Sequence, residues 1–258
     1  MRQTEERKQT ILERLNRENR VYVSDLSHAL EVSEVTIRKD LKELEERGAL
    51  RRTHGGAANL EEKGAVEPSL DKLLQVHTEE KRAIARNAYR FLEDGDSLLL
   101  DASSTVRELA HLIRDGDRRE LTVITPAIHV AQELSSCEHV QVIQIGGMVR
   151  RSLVTAMGPI ATEDLRGLHV DKAFIGVNGI DPAVGLTTQN LLECEVKRHI
   201  VEACTQSFVL ADSSKMRCVA LGVICPVGRA DYIITDAAIS PAFAGKLEEC
   251  GARVIVAE

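Results

Sequence analysis

Seven short, continuously apolar runs recur through the later part of the chain: SLLLD (97–101), LTVIT (121–125), VQVIQIG (140–146), KAFIGV (172–177), SFVLA (207–211), DYIIT (231–235) and RVIVA (253–257). Runs that do not alternate apolar with polar residues fit strands buried on both faces. Stretches with helical spacing separate them, at 105–114, 126–136 and 189–204. Strands alternating with helices make crossover connections, so the pattern predicts a C-terminal α/β domain built on a mostly parallel sheet.

The first 57 residues follow a different grammar. Helical spacing over 4–18 puts Ile11, Leu12 and Leu15 on one stripe, with Thr4 placed to cap. VYV (21–23) is a short extended piece. Ser24 is placed to cap a second helix whose Leu26, Ala29 and Leu30 face inward. After the break at EVS, Ser33 caps a third helix that runs to about Arg47 and ends at Gly48. Its inward seam is expected at Val35, Ile37, Leu41 and Leu44, which leaves Ser33, Glu34, Thr36, Arg38 and Lys39 outside it in the first turns. A helix N-terminus carrying free amides and basic side chains suits phosphate oxygens and base edges. A short basic ribbon follows, ALRRTHGGA, with Arg51, Arg52 and His54 able to grip a backbone. These elements predict an N-terminal all-α winged helix-turn-helix over residues 1–57 that binds DNA. An ordinary solvated helix with i, i+4 pairs such as Glu43–Arg47 accounts for the second half of the third helix. It leaves the basic first half and the ribbon unexplained.

Charge supports the division. The chain of 258 residues carries a net charge of −7, yet residues 1–56 hold 12 Lys/Arg against 11 Asp/Glu and the remainder 21 against 29. A DNA-facing surface therefore depends on sorting charge onto one face of the first domain. The polar stretch after it, with Gly64 and Pro68, reads as a linker over 58–77, and the α/β domain then spans 78–258. The sequence has no apolar run of about 18 residues and no apolar signal core at its start. A cytoplasmic protein without a membrane span is expected. Cys137, Cys194, Cys204, Cys218, Cys225 and Cys250 show no metal-binding spacing, so buried thiols are expected, and no metal or cofactor.

Small polar residues gather at the ends of the expected strands. Ser103, Ser104 and Thr105 follow the first run and open a helix, where hydroxyls and free amides can cradle phosphate. Plain capping needs only one of the three. Gly146, Gly147, Arg150 and Arg151 follow another run; Asn178, Gly179, Asp181, Gly185, Thr187 and Thr188 a third; Asp212, Ser213, Ser214 and Lys215 a fourth. Ligands of open α/β sheets bind beyond the carboxyl ends of strands, so a small anionic ligand is expected there.

The first domain resembles the signature of the DeoR family of bacterial transcriptional regulators. Its pattern is met at Val32, Ser33, Thr36, Ile37, Arg38, Lys39, Asp40 and Leu41, then Leu44, Gly48 and Leu50, then Arg52, His54, Gly55, Gly56 and Ala57. The second domain is similar to the same family's effector domain at Asp101–Thr105, Gly146–Gly147, Val177–Ile180, Gly185–Thr188, Glu193–Lys197 and Ala211–Lys215. The resemblance implies a regulator, most often a repressor, that binds double-stranded operator DNA as a homodimer or homotetramer. It also implies a sheet related to ribose-5-phosphate isomerase and CoA-transferase folds, and release from DNA by a phosphorylated sugar. The effector-binding residues so implied are Asp101, Ser103, Ser104, Thr105, Gly146, Gly147, Asn178, Gly179, Gly185, Thr187, Thr188, Glu195, Lys197 and Lys215. Three positions depart from the family pattern: Ser103 replaces a Gly, Pro126 a frequent Asn, and Asn178 a common Asp.

The alternative is a sugar-phosphate isomerase carrying a DNA-binding module. Such chemistry needs a carboxylate base and a group that steadies the enediolate, roles for which Glu195, Lys197 and Asp181 are the candidates. Isomerases of this sheet type have a D-G-A-D-E-x-D run. Aligned through Gly176 and Asp181, its first two acids fall on Ile175 and Asn178, and neither can act as a base.

Overall fold

The computed structural model describes residues 2–18, 20–53, 55–58 and 69–257, and the chain divides into two compact units, Met1–Val66 and Glu67–Glu258. His54, the expected linker residues 59–68 and the side chain of Arg51 lie outside what is described.

The first unit runs α1 (Arg2–Glu18), β1 (Arg20–Tyr22), α2 (Val23–Ala29), α3 (Glu34–Glu46), β2 (Arg51–Thr53) and β3 (Gly56–Ala58). The strands form an antiparallel sheet in the order β1-β3-β2, the wing beside the three helices. Ile11 and Leu15 of α1, Leu26 of α2 and Ile37, Leu41 and Leu44 of α3 close a core with Leu50. Each such side chain contributes roughly 1.5–3 kcal/mol on full burial. Two ion pairs add to the docking of α1 on α3: Arg7 Nε donates to Asp40 Oδ2 at 2.6 Å and Lys8 Nζ to Glu43 Oε2 at 2.6 Å. Gly56 sits where a Cβ would lie 2.0 Å from Val21 O, so the wing can close only over a glycine.

Four local expectations differ. Helix α1 starts at Arg2, which puts Thr4 inside it. Helix α2 starts at Val23, with Tyr22 rather than Ser24 at its cap position. That one-residue shift makes Val23 and Leu26 the inward pair and leaves Ala29 exposed. Val35 is 72% exposed rather than part of the seam. Two residues before Ile37 it points about 200° around the helix, away from the core.

The second unit runs α4 (Leu70–Leu74), α5 (Thr78–Tyr89), β4 (Ser97–Leu100), α6 (Ser104–Asp115), β5 (Leu121–Thr125), α7 (Ile128–Leu134), β6 (Val140–Gln144), β7 (Met148–Arg150), β8 (Thr155–Met157), α8 (Pro159–Arg166), β9 (Val170–Ile175), β10 (Gly179–Asp181), β11 (Gly185–Thr188), α9 (Leu191–Glu202), β12 (Cys204–Leu210), β13 (Gly222–Cys225), β14 (Tyr232–Asp236), α10 (Pro241–Glu249) and β15 (Arg253–Ala257). Seven strands form one sheet in the order β15-β14-β12-β9-β4-β5-β6, parallel at every pairing. They are the seven apolar runs. Edge strands β6 and β15 are the least buried, with Ile143 42% and Val256 45% exposed, because an edge lacks a neighbour on one side.

Alternation along the inner strands feeds two cores. Ile175 and Val209 join residues of α8, α9 and α10 on one face, while Phe174 and Phe208 join α5, α6 and α7 on the other. From β4 the chain moves outward through β5 and β6, then returns to β9 on the other side of β4 and continues to β15. The carboxyl ends of β4 and β9 therefore flank the point where strand order reverses, the place where open α/β sheets leave a crevice.

Candidate functional sites

At that crevice the chain leaves β4 through Asp101 and enters α6. Ser103 is the N-cap, accepting a hydrogen bond from Val106 N at 3.2 Å on its Oγ. The first-turn amides of Ser104 and Thr105 then have no intrahelical acceptor, as at any helix start. Asp101 fixes this turn from beneath: its Oδ1 accepts from Ser103 N at 2.8 Å and its Oδ2 from Gly176 N at 2.8 Å. The loop after β9 presses against the loop after β4. A Cβ on Gly176 would stand 2.3 Å from Ser103 Cβ, so Ser103 occupies the space a side chain there would need.

The cavity measures about 70 Å³ and is lined by Ser103, Ser104 and Thr105 from one strand end, Gly176 and Asn178 from the next, Asp212 and Lys215 from β12, and Glu193 and Lys197 from α9. At roughly 10–15 Å³ for each water, such a space suits a small group rather than a nucleotide.

Charge in the cavity is unevenly committed. Lys197 is 3% exposed; its Nζ pairs with Asp101, lies 3.2 Å from Glu193 Oε1 and donates to Gly176 O at 2.9 Å. Burial alone pushes this ammonium down, but Asp101 and Glu193 outweigh it, and its pKa stands above the ordinary lysine value. Arg150 pairs with Glu193 from the other side. Lys81 differs. It is 5% exposed, faces two backbone carbonyls, Leu73 O and Val76 O (2.7 Å), and burial lowers its pKa although Asp212 pulls it back. Burial raises the Asp212 carboxyl, yet Lys215 at 3.8 Å and the Ser214 hydroxyl hold it below its ordinary value.

Of the residues singled out in the sequence, Ser103, Ser104, Thr105, Asn178, Thr188, Lys197 and Lys215 meet at this cavity, and Asp101 lies beneath it. Asn178 Oδ1 accepts from Thr188 Oγ1 at 2.8 Å and Gln189 N at 2.9 Å, so this carbonyl shapes the loop. The others lie elsewhere. Gly146 and Gly147 follow edge strand β6 and pack by α8. Gly179, Gly185 and Thr187 belong to the β10-β11-β13 sheet, where Thr187 Oγ1 donates to Gly179 O at 3.1 Å and accepts from Ala220 N at 3.0 Å. Glu195 is exposed, about 200° around α9 from the inward Glu193. Glu193 and Lys81 are the residues the sequence reading missed. Both leave a trace: Glu193 stands one turn from Lys197, and Lys81 is a cation on the apolar face formed with Ile84, Ala85 and Ala88.

In the first unit, Ser33 caps α3, accepting from Thr36 N at 3.3 Å, and its Oγ meets Thr36 Oγ1 at 2.9 Å. These hydroxyls order the first turn. Glu34 Oε2 pairs with Arg38 at 2.7 Å on the open surface, Lys39 is exposed beside it, and exposed Arg52 is fixed through its amide on Glu45 at 2.8 Å. The six cysteines form no disulfide; Cys194 and Cys218 are buried and the rest half-buried, and burial pushes Cys204 up to about 12. Among the described residues no helix is long and apolar enough to cross a membrane.

Two family models match the chain: the DeoR-like helix-turn-helix domain over residues 7–63 and the DeoR C terminal sensor domain over 76–237. Similar proteins include the HTH-type transcriptional repressor GlcR of Bacillus subtilis (strain 168), 35% identical over 261 residues, covering 98% of this chain and 96% of that protein. The HTH-type transcriptional regulator GolR of Listeria innocua is 34% identical over 253 residues and covers 98% of each. Among solved structures, a D-ribose-5-phosphate isomerase in complex with phospho-erythronic acid is 16% identical with a TM-score of 0.40, over 54% of each chain.

Proposed function

The chain belongs to the DeoR family of transcriptional regulators, and from that premise we propose that a phosphorylated sugar bound in the cavity at β4 and β9 releases it from operator DNA. It is a regulator, not an enzyme. The observation that carries the effector reading is the helix start at Ser103–Thr105, which lines a cavity together with Lys81, Lys197 and Lys215. Helix N-termini bind phosphate through oriented amides and the helix dipole. Lys81 and Lys215 bring positive charge beside it, while Glu193 and Asp212 can accept bonds from sugar hydroxyls. Lys197 is already balanced by Asp101 and Glu193, so its part is to hold the two loops in register.

Operator contact is assigned to the first turns of α3, with Arg38 and Lys39 toward DNA and Ser33, Glu34 and Thr36 setting their geometry. The wing residues Arg51, Arg52 and His54 are assigned to the DNA backbone. Two copies acting on a symmetric site, in the cytoplasm, complete the reading. Effector and operator then favour different conformations of one protein, and coupling equals their difference in affinity. Calorimetric titration with pentose and hexose phosphates, each beside its unphosphorylated sugar, tests it. Binding by a phosphate ester, with none by the parent sugar and a matching loss of operator affinity, is expected. Tighter binding of an unphosphorylated sugar would sink the reading.

A further inference from the structure

We infer that Val35 reads DNA sequence directly, seating its isopropyl group against the 5-methyl group of a thymine in the major groove. The inference rests on the DNA-binding half of the function and is independent of the effector.

One exposed apolar residue on a surface is ordinary. The position of this one is not. Ile37, Asp40, Leu41 and Leu44 mark the buried side of α3. At about 100° per residue, Val35 lies opposite their centre, with Lys39 and Lys42 to either side of it. It is 72% exposed, so it adds nothing to the core. As a β-branched residue it is also a poorer helix former than alanine on an open surface. Neither packing nor helix propensity accounts for it.

Its neighbours identify the occupant. Arg38, Lys39 and Lys42 are exposed around it, and their acidic partners Glu34 and Glu46 are surface residues that a polyanion can displace. Val35 is the second residue of α3, in the turn by which recognition helices reach base edges. The thymine methyl is the apolar feature of the major groove's edge pattern, and the minor groove offers none. Double-stranded RNA is a poor fit, because its major groove is too deep and narrow for side chains and uracil lacks the methyl.

The test removes the contact from each side in turn, the thymine 5-methyl from the DNA and the two Val35 methyls from the protein. Full-length protein enriches operators from a randomised duplex library, and each thymine of the best duplex is then replaced singly by deoxyuridine. At one or more positions the loss of the methyl should weaken binding about fourfold, the worth of one buried methyl group. With Val35→Ala, overall affinity should fall by a similar factor and the same deoxyuridine substitution should cost nothing further. The salt dependence should be unchanged, because no phosphate contact is lost. Alanine on an exposed helical surface leaves the fold intact. Equal deoxyuridine costs in both proteins, or none at any position, would overturn the inference. Enrichment of no duplex at all would remove the DNA-binding reading and this inference with it.

Discussion

The two units treat charge in opposite ways. In the helix-turn-helix unit Arg38, proposed to meet DNA, stands in the open, its side chain 55% exposed and paired with Glu34, itself 47% exposed. In the sensor unit Lys197 is sealed, its side chain 4% exposed against Asp101 at 2% and Glu193 at 10%. An exposed pair is worth at most about 1 kcal/mol and is readily exchanged for another partner. A buried set is costly to assemble and still more costly to break. The difference fits the proposed roles: a surface that trades a carboxylate for a phosphate keeps its charges wet. A cavity that must present amides in fixed geometry locks its charges in.

Breaking the buried set should have the largest effect. Lys197→Met leaves Asp101 without its cation and Glu193 with Arg150 alone, and the sensor unit should lose about 3–5 kcal/mol in urea unfolding. A change under about 1 kcal/mol would mean that the triad does not hold the two loops. Lys81→Met probes the intermediate case, a buried cation whose hydrogen bonds go to the carbonyls of Leu73 and Val76. Phosphate-ester affinity should fall by about 1.5–3 kcal/mol, the worth of a hydrogen bond to a charged group, measured by calorimetry. Arg38→Ala should weaken operator binding by about 1–3 kcal/mol while leaving the unfolding midpoint and effector affinity in place. A stability loss as large as that of Lys197→Met would erase the contrast between the units.

A smaller effect follows from pH. Burial, with Arg107 nearby, lowers His129 of α7 to about 4 from the ordinary 6.5, so the folded sensor holds this ring neutral. Between the two values the unfolded chain takes up a proton that the folded chain refuses, and stability falls as pH drops through that window. From pH 7 to pH 5 the loss should be on the order of 1–2 kcal/mol. It should shrink in His129→Gln; an unchanged pH dependence there would assign the effect elsewhere. The smallest effect belongs to Glu195→Gln, which should leave effector affinity within about twofold, since this carboxylate lies on the outer face of α9.

Much of the fold was legible because periodicity is a local property. Each of the seven apolar runs became a strand of the parallel sheet, and the 37/41/44 spacing placed one face of α3 in the core. Val35 was misplaced by its apolar character alone, since the helical phase already turned it outward. At the cavity, hydroxyl clusters at strand ends pointed to Ser103–Thr105, yet the same criterion also selected Gly146, Gly185 and Thr187, whose polar or small character serves packing and turns instead. Within the matched Glu193–Lys197 stretch the expected site residue was Glu195, whereas the first position, Glu193, is the inward carboxylate; the helix face tells them apart once its buried side is known.

By itself, then, the sequence determined the element types, the two-unit division of its patterns and the family, since these depend on residue spacing of a few positions. Which strand ends meet was decided by the order β6-β5-β4-β9-β12, a long-range pairing that brings Asp101 to Gly176 and Lys197 across 75 and 96 positions. Only that pairing adds Asp101 to the Glu193 that α9 itself sets one turn from Lys197, because the second partner of this buried charge is one that the closed sheet delivers.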